Sequence, residues 1–433
     1  AEANIGYNGT ENFAKGMRMG FFPAFSAGWL ITEEAWMEKK APWISYLKLR
    51  LSSGKVGNAN IGGRRYLYLP DTWGAATGYN FGSGAANALG GSFELNLGNP
   101  NVTWETAWKH NIGLESMFFN KSLSVNFDVF YDKRDNILLI RQDVPTLIGQ
   151  ANTPPVNVGK MENKGYELEV KYNKRLSKDF AFDIGGNYNY ARNKILYQTE
   201  PQRPYPWMER TGKRFGEKFG YIAEGFFNSK EEISKWADQS IFGVIVPGDI
   251  KYKDLNGDGK IDQYDQGNIG NPDLPEITYA ITNGISYKNF ELDVMFQGVT
   301  NTSLLVSSQG GWEFYNSAKV ANHHMGRWTP ATAATATYPR LTQSSSTAKN
   351  NFQNSTFWVR DASYIRLKNV ALSYNFSKTI VQRLGVDALR LSLTAANIYT
   401  WSSFKWFDPE IRTSAGNVYP QLQTYNFTIY TTF

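Results

Sequence analysis

The 433-residue chain contains no cysteine and only three histidines. The first absence excludes disulfides and thiolate metal sites, and it suits a chain exported through an oxidising compartment without proving that route. Two of the histidines are adjacent, His323 and His324. They have no further ligand at metal spacing, so they read as a solvated pair in a polar loop. No run of 18 apolar residues exists, which excludes a transmembrane helix, and the mean hydropathy of −0.44 points the same way. That test is blind to barrels, whose apolar residues occupy only alternate positions. Blocks of like charge are missing too. The net charge is +6 with a pI near 9.0, but Lys and Arg are scattered among Asp and Glu, which argues against a nucleic-acid partner. No nucleophile elbow, phosphate loop or His-Glu-x-x-His pattern appears, so no enzyme is expected; a glycosidase carboxylate pair would leave no such local mark. The chain starts at Ala1 without an initiating Met or a charged-then-apolar leader, and it is expected to be a processed product or a portion of a longer protein.

What is abundant is aromatic. Tyr, Phe and Trp number 25, 27 and 13, and glycine 39. The stretch Gln421 to Phe433 sets the pattern, with Tyr425, Phe427, Ile429, Thr431 and Phe433 on one face and Thr424, Asn426, Thr428, Tyr430 and Thr432 on the other. Such alternation is a strand with one greasy and one wet face. A longer version spans Gly165 to Leu176, where Tyr166, Leu168, Val170 and Tyr172 alternate with Glu167, Glu169, Lys171 and Asn173. It turns at Ser177-Lys178-Asp179 and returns through Phe180, Phe182, Ile184, Tyr188 and Tyr190. A soluble strand usually runs about 5 to 6 residues, whereas a tilted membrane-crossing strand needs about 9 to 11. These arms are long enough to cross.

Further strands are expected at Ala1 to Tyr7, Phe21 to Ile31, Trp43 to Val56, Thr103 to Phe119, Leu123 to Ile140, Lys213 to Phe227, Ile277 to Tyr287, Phe290 to Val299, Trp358 to Phe376 and Ala388 to Trp401, about 13 in all. A short helix is expected at Lys230 to Asp238. Between them, tight turns alternate with long excursions at 57–98, 141–157, 196–212, 228–275 and 301–356. That asymmetry predicts a transmembrane antiparallel β-barrel of all-β class, with short periplasmic turns and long outer loops. Residues 1–433 form a single barrel portion in this reading.

At four places the residues resemble a known family, the SusC/RagA-type TonB-dependent outer-membrane transporters of Bacteroidota. The stretches are Gly20 to Trp29 (GFFPAFSAGW), Val158 to Glu167 (VGKMENKGYE), Asp254 to Asp262 (DLNGDGKID) and Phe357 to Asn369 (FWVRDASYIRLKN), followed by Asn397 and Asp408-Pro409-Glu410. The resemblance implies the C-terminal part of a 22-stranded barrel in the bacterial outer membrane. It further implies an N-terminal plug and early strands absent from these residues, a TonB box in that missing region, and a SusD-like surface lipoprotein as lid. The implied activity is TonB-energised import of oligosaccharides or peptides through outer-membrane lipid. A non-transporting barrel used for surface binding or adhesion is the alternative, and a soluble β-rich carbohydrate-binding module is a third that the alternating strands argue against.

One motif suggests a metal. Asp254, Asn256, Asp258, Lys260 (through its carbonyl), Asp262 and Asp265 occupy positions 1, 3, 5, 7, 9 and 12 of a loop with Gly259 at position 6. Oxygen donors at that spacing suit a hard cation, so a structural Ca2+ is expected; the other reading is an Asx-rich turn held by its own side chains. Among the outer-loop aromatics, Trp73, Tyr79, Trp207, Trp312 and Tyr315 are candidates for stacking on a sugar or gripping a peptide, with loop packing or lid contact as the plainer use. Glu167, Glu169, Lys171 and Arg175 face the wet side and are expected to form a charge lattice.

Overall fold

The computed structural model describes residues 1–433 except 64, 72, 83–87, 146, 148–152, 318 and 344–348. One antiparallel sheet of 12 strands dominates it. Its strands are β1 (Glu2–Gly9), β2 (Met19–Leu30), β3 (Ile44–Asn58), β4 (Glu105–Phe118), β5 (Leu123–Ile140), β6 (Pro155–Arg175), β7 (Phe180–Tyr197), β8 (Ile277–Tyr287), β9 (Phe290–Thr300), β10 (Tyr364–Asn375), β11 (Ala388–Ser402) and β12 (Thr424–Thr432). Each pairs with its neighbour along the chain, so the order in space is the order in sequence. At one end the connections are short: 119–122, 176–179 and 288–289, with 31–43 and 376–387 holding the short helices Ala35–Lys40 and Lys378–Arg383. At the other end they are 10–18, 59–104, 141–154, 198–276, 301–363 and 403–423.

Cross-strand partners share a face, so the register decides what each side of the sheet is made of. Leu51 leads through Ile112, Val129, Tyr166 and Tyr190 to Ile277. Phe182 leads through Ile285, Leu292, Leu372 and Leu393 to Phe427. This face is apolar throughout yet exposed; Ile112 and Leu393 each keep more than half of their surface open. An apolar surface continuous over twelve strands far exceeds what a water-facing patch tolerates. Aromatic rings gather at its two margins. Near the short turns Trp43 stacks on Phe118 at 5.5 Å and Phe290 meets Tyr374 at 4.7 Å, and toward the long loops Tyr166 meets Tyr190 at 5.3 Å and Tyr399 meets Trp401 at 4.8 Å. Aliphatic residues fill the band between, the arrangement of a lipid-facing wall with two interfacial girdles.

The opposite face carries the charge lattice. Arg50 bridges Glu115 at 2.6 Å and Asp128 at 3.1 Å, Lys171 meets Glu169 at 2.5 Å, and Asn126 and Asn189 donate to Glu169 and Glu167. Arg175, expected in that lattice, is exposed at the turn end of β6 and makes no ion pair among the described residues.

Three expectations change. Residues 213–227 are not a wall strand: Lys218–Gly220 pairs with Gly267–Gly270, and Ala223–Phe226 with Ile250–Tyr252, in two small sheets of the loops. Gly216 and Gly225 take φ of +86° and +105° there, which breaks the period that a wall strand needs. β7 therefore pairs directly with β8, and the count falls from 13 to an even 12. The stretch 57–98, read as a long excursion, contains a hairpin, Trp73–Asn80 with Ala88–Glu94. The helix expected from Lys230 ends at Lys235, capped by the Ser229 side chain, which accepts from Glu232 N.

Candidate functional site

The excursions 198–276, 301–363 and 403–423 pack into a cap over the loop end of the wall. Tyr221, Phe242, Ile250, Tyr252 and Ile261 form one buried cluster, and Leu304, Val306, Ala362 and Phe404 another. Between the first two excursions runs a buried amide network. Asn351 donates to Asp249 at 2.9 Å and accepts from Ile250 N at 2.9 Å, Gln239 donates to Asn350 at 2.7 Å, and Arg340 Nε reaches Asp249 at 2.7 Å. Burial pushes the Asp249 carboxyl up, against the pull of Val246 N–H and Arg340. A separate loop core joins Phe13, Leu67 and Val102.

In the acidic loop the carboxylates turn toward backbone amides. Asp254 accepts from Gly257 N at 2.7 Å and Gly259 N at 2.8 Å; Asp258 accepts from Lys260 N at 2.9 Å. Asp262 and Asp265 cap a single 3-10 turn reciprocally, Asp262 accepting from Tyr264 N and Asp265 from Asp262 N. Asn256 donates to Asp258 at 3.0 Å. Burial raises the Asp265 carboxyl, opposed by the N–H groups of Asp262, Leu255 and Asn256. Among the described residues no group of three or more His, Cys, Asp or Glu is gathered as a metal cluster.

The five aromatic candidates fall into three places. Trp73 and Tyr79 stand on the loop hairpin, each 70% exposed, with Tyr79 edge-on to Phe81 at 5.0 Å. Trp207 stacks flat on Tyr205 at 4.6 Å and donates from Nε1 to Tyr264 O at 2.8 Å, so it braces the acidic loop. Trp312 packs against Tyr315, Phe352 and Trp358. Only the first pair presents open rings.

The adjacent histidines, His323 and His324, are not solvated. His324 is 3% exposed, and His323 lies flat on Trp406 at 4.0 Å. Burial first, then His324 beside it, pushes the His323 imidazole down to about 4. The polar composition of the surrounding loop concealed the aromatic residues that arrive from 403–423.

The charged centre of the cap went unassigned in the sequence. Arg366, 1% exposed on β10, donates Nε to Thr400 at 2.8 Å, Nη1 to Glu410 at 2.7 Å and to Gln421, and Nη2 to both Asp408 oxygens at 2.6 and 2.7 Å. It ties 403–423 to the wall. The signal was present, since Arg366, Asp408 and Glu410 sit in stretches already singled out, but nothing local said that they meet.

A family model described as TonB dependent receptor-like, beta-barrel, matches residues 3–399. The chain belongs to this family. Among relatives, TonB-dependent receptor P26 of Formosa agariphila is 32% identical over 93% of this chain and 40% of its own length. TonB-dependent receptor SusC of Bacteroides thetaiotaomicron is 26% identical over 97% and 40%. A solved structure of the RagAB peptide importer matches with a TM-score of 0.75 at 22% identity, covering all of this chain and 45% of that one, and so agrees in fold. The chain thus spans about two fifths of the length of these TonB-dependent receptor relatives. Membership places it in the outer membrane as part of a TonB-dependent receptor β-barrel, a setting that its girdled wall suits.

Proposed function

We propose that these residues form the C-terminal wall and outer loops of a TonB-energised importer of oligosaccharides or peptides. The family match over residues 3–399 carries this reading. A polar inner face and a packed outer cap support it, because a route for hydrophilic cargo needs the one and a gated entrance needs the other. In this proposal the whole protein is a 22-stranded, plugged barrel, the lipid contacts the girdled face, a SusD-like lipoprotein closes on the cap, and Trp73 and Tyr79 are the rings offered to cargo or lid. The test is uptake by cells that carry the full-length gene, with and without a working TonB. Accumulation that depends on TonB supports import; capture at the surface that is indifferent to TonB makes the protein an adhesin-like binder instead.

A structural Ca2+ in the 254–265 loop is part of the same proposal, supported by the hard oxygen donors at Asp254, Asn256, Asp258, Lys260, Asp262 and Asp265. Each carboxylate oxygen that accepts a backbone amide there keeps a second lone pair for a cation. Asp258→Ala should lower calcium per protein in elemental analysis, and an unchanged ratio removes the ion from the proposal.

A further inference from the structure

Two arginines of the cap have opposite surroundings. Arg366 has an acceptor for every nitrogen. Arg360, on the short strand Val359–Asp361, has none: its Nε is buried without an acceptor, and no carboxylate pairs with it among the described residues. Phe357 and Trp406 lie against the guanidinium, with centroids 5.1 and 4.8 Å from its central carbon. A guanidinium that rests against aromatic rings still offers its edge for hydrogen bonds, and that edge is a planar fork matched to two oxygens of one anion. Leaving such a charge half-buried and unmatched is costly.

Arg360 also lines an open cleft of about 520 Å3, together with His323, Thr337, Phe404, Lys405 and Trp406. Lys405 is exposed at the rim and adds a second positive charge. The acid in the lining, Asp361, accepts from Ser363 N at 2.9 Å. The cleft is therefore cationic, walled by aromatic rings, and of a size for one planar acidic group with part of the molecule that bears it.

We propose that this cleft binds a carboxylate of the imported ligand, with Arg360 as its bidentate partner and Trp406 as the wall beneath it. This rests on the import reading and narrows it to acidic cargo. A peptide terminus and a sugar acid present the same chemistry, so two probes separate them. Hippurate and glucuronate, with hippuramide and glucose as neutral counterparts, are titrated calorimetrically into the full-length receptor in detergent.

Binding of hippurate alone assigns a peptide-type carboxylate, glucuronate alone an acidic sugar, and both a general carboxylate site. In each case the neutral counterpart should be silent. Arg360→Gln should weaken the bound probe by roughly tenfold or more, as for loss of a charge-assisted bidentate pair. Arg360→Lys, which keeps the charge and loses the fork, should fall between. Lys405→Gln leaves the Phe357 and Trp406 contacts of Arg360 untouched and should weaken binding by a smaller factor, which guards against a misfolded Arg360 variant. The proposal is overturned if neither carboxylate binds, or if Arg360→Gln binds as wild type does. A lower melting temperature of Arg360→Gln without probe binding also overturns it, because the guanidinium then serves a carboxylate elsewhere in the full-length protein. Uptake is not part of the readout, so a receptor that binds the probe but imports nothing fails the import reading alone.

Discussion

The wall and the cap bury opposite things. On the wall the apolar side chains face outward and stay exposed, Phe427 at 61% and Ile429 at 57%, as suits a wall that crosses a membrane. In the cap, Asp249, Asn351 and Arg366 lie within 1% exposure, and they are stable there because partners from distant residues satisfy them. The wall is organised by its solvent and the cap by its contacts. A substitution is therefore judged on the wall by which face it touches, and in the cap by which partner it orphans.

The largest expected effect is in the cap. Arg366→Met leaves Asp408 and Glu410 without their partner and should cost about 3 to 5 kcal/mol, read as early protease cleavage of 403–423 in urea. If cleavage is unchanged, the hub does not hold that loop.

On the wall, adjacent residues of β12 form the contrast. Phe427→Arg places a charge on the lipid side and should cost about 2 to 4 kcal/mol in liposome refolding, while Thr428→Arg, on the inner side, should stay within about 0.5 kcal/mol. Equal costs would break the two-face assignment.

Acid separates the regions as well. Burial works against the Glu200 carboxylate, but the Thr211 N–H and hydroxyl, Arg210 N–H and Gln198 outweigh it and hold the group at about 2. Its folded pKa is depressed below the ordinary glutamate value of 4.5. Its stabilisation is thus present above that value and lost as the pH falls through about 2. Glu200→Gln should remove on the order of 2 kcal/mol of acid-dependent stability from residues 198–211, measured by hydrogen exchange between pH 5 and 2. An identical acid profile for wild type and variant would remove Glu200 from the account. The smallest effect belongs to Trp73→Ala, whose exposed ring should change stability by no more than about 0.5 kcal/mol; a larger loss in thermal unfolding would mean that the hairpin is packed and not presented.

Most of the wall was legible because its rule is local. A period of two, broken by tight turns, located β5 through β9 and the closing strands from residue types alone. The misplaced strand at 213–227 shows the limit of that rule: hydrophobic residues were there, but two left-handed glycines broke the alternation and the segment joined the loops. The cap's core could not be read, since Asn351 and Asp249, 102 residues apart, carry no local sign of each other. His323 was misjudged for the same reason, its covering ring lying at Trp406.

That separation also orders the assembly of the molecule in time. The seal between 198–276 and 301–363 must bring together groups about a hundred residues apart, and closing so long a loop is slow unless something first draws its ends together. The hairpins of β8 with β9 and of β7 with β8 do this, since they anchor the feet of both excursions side by side on the wall. The sheet acts as the template and the seal as a late step, so a receptor with a faulty seal would still insert as a barrel and lack only the closed outer face.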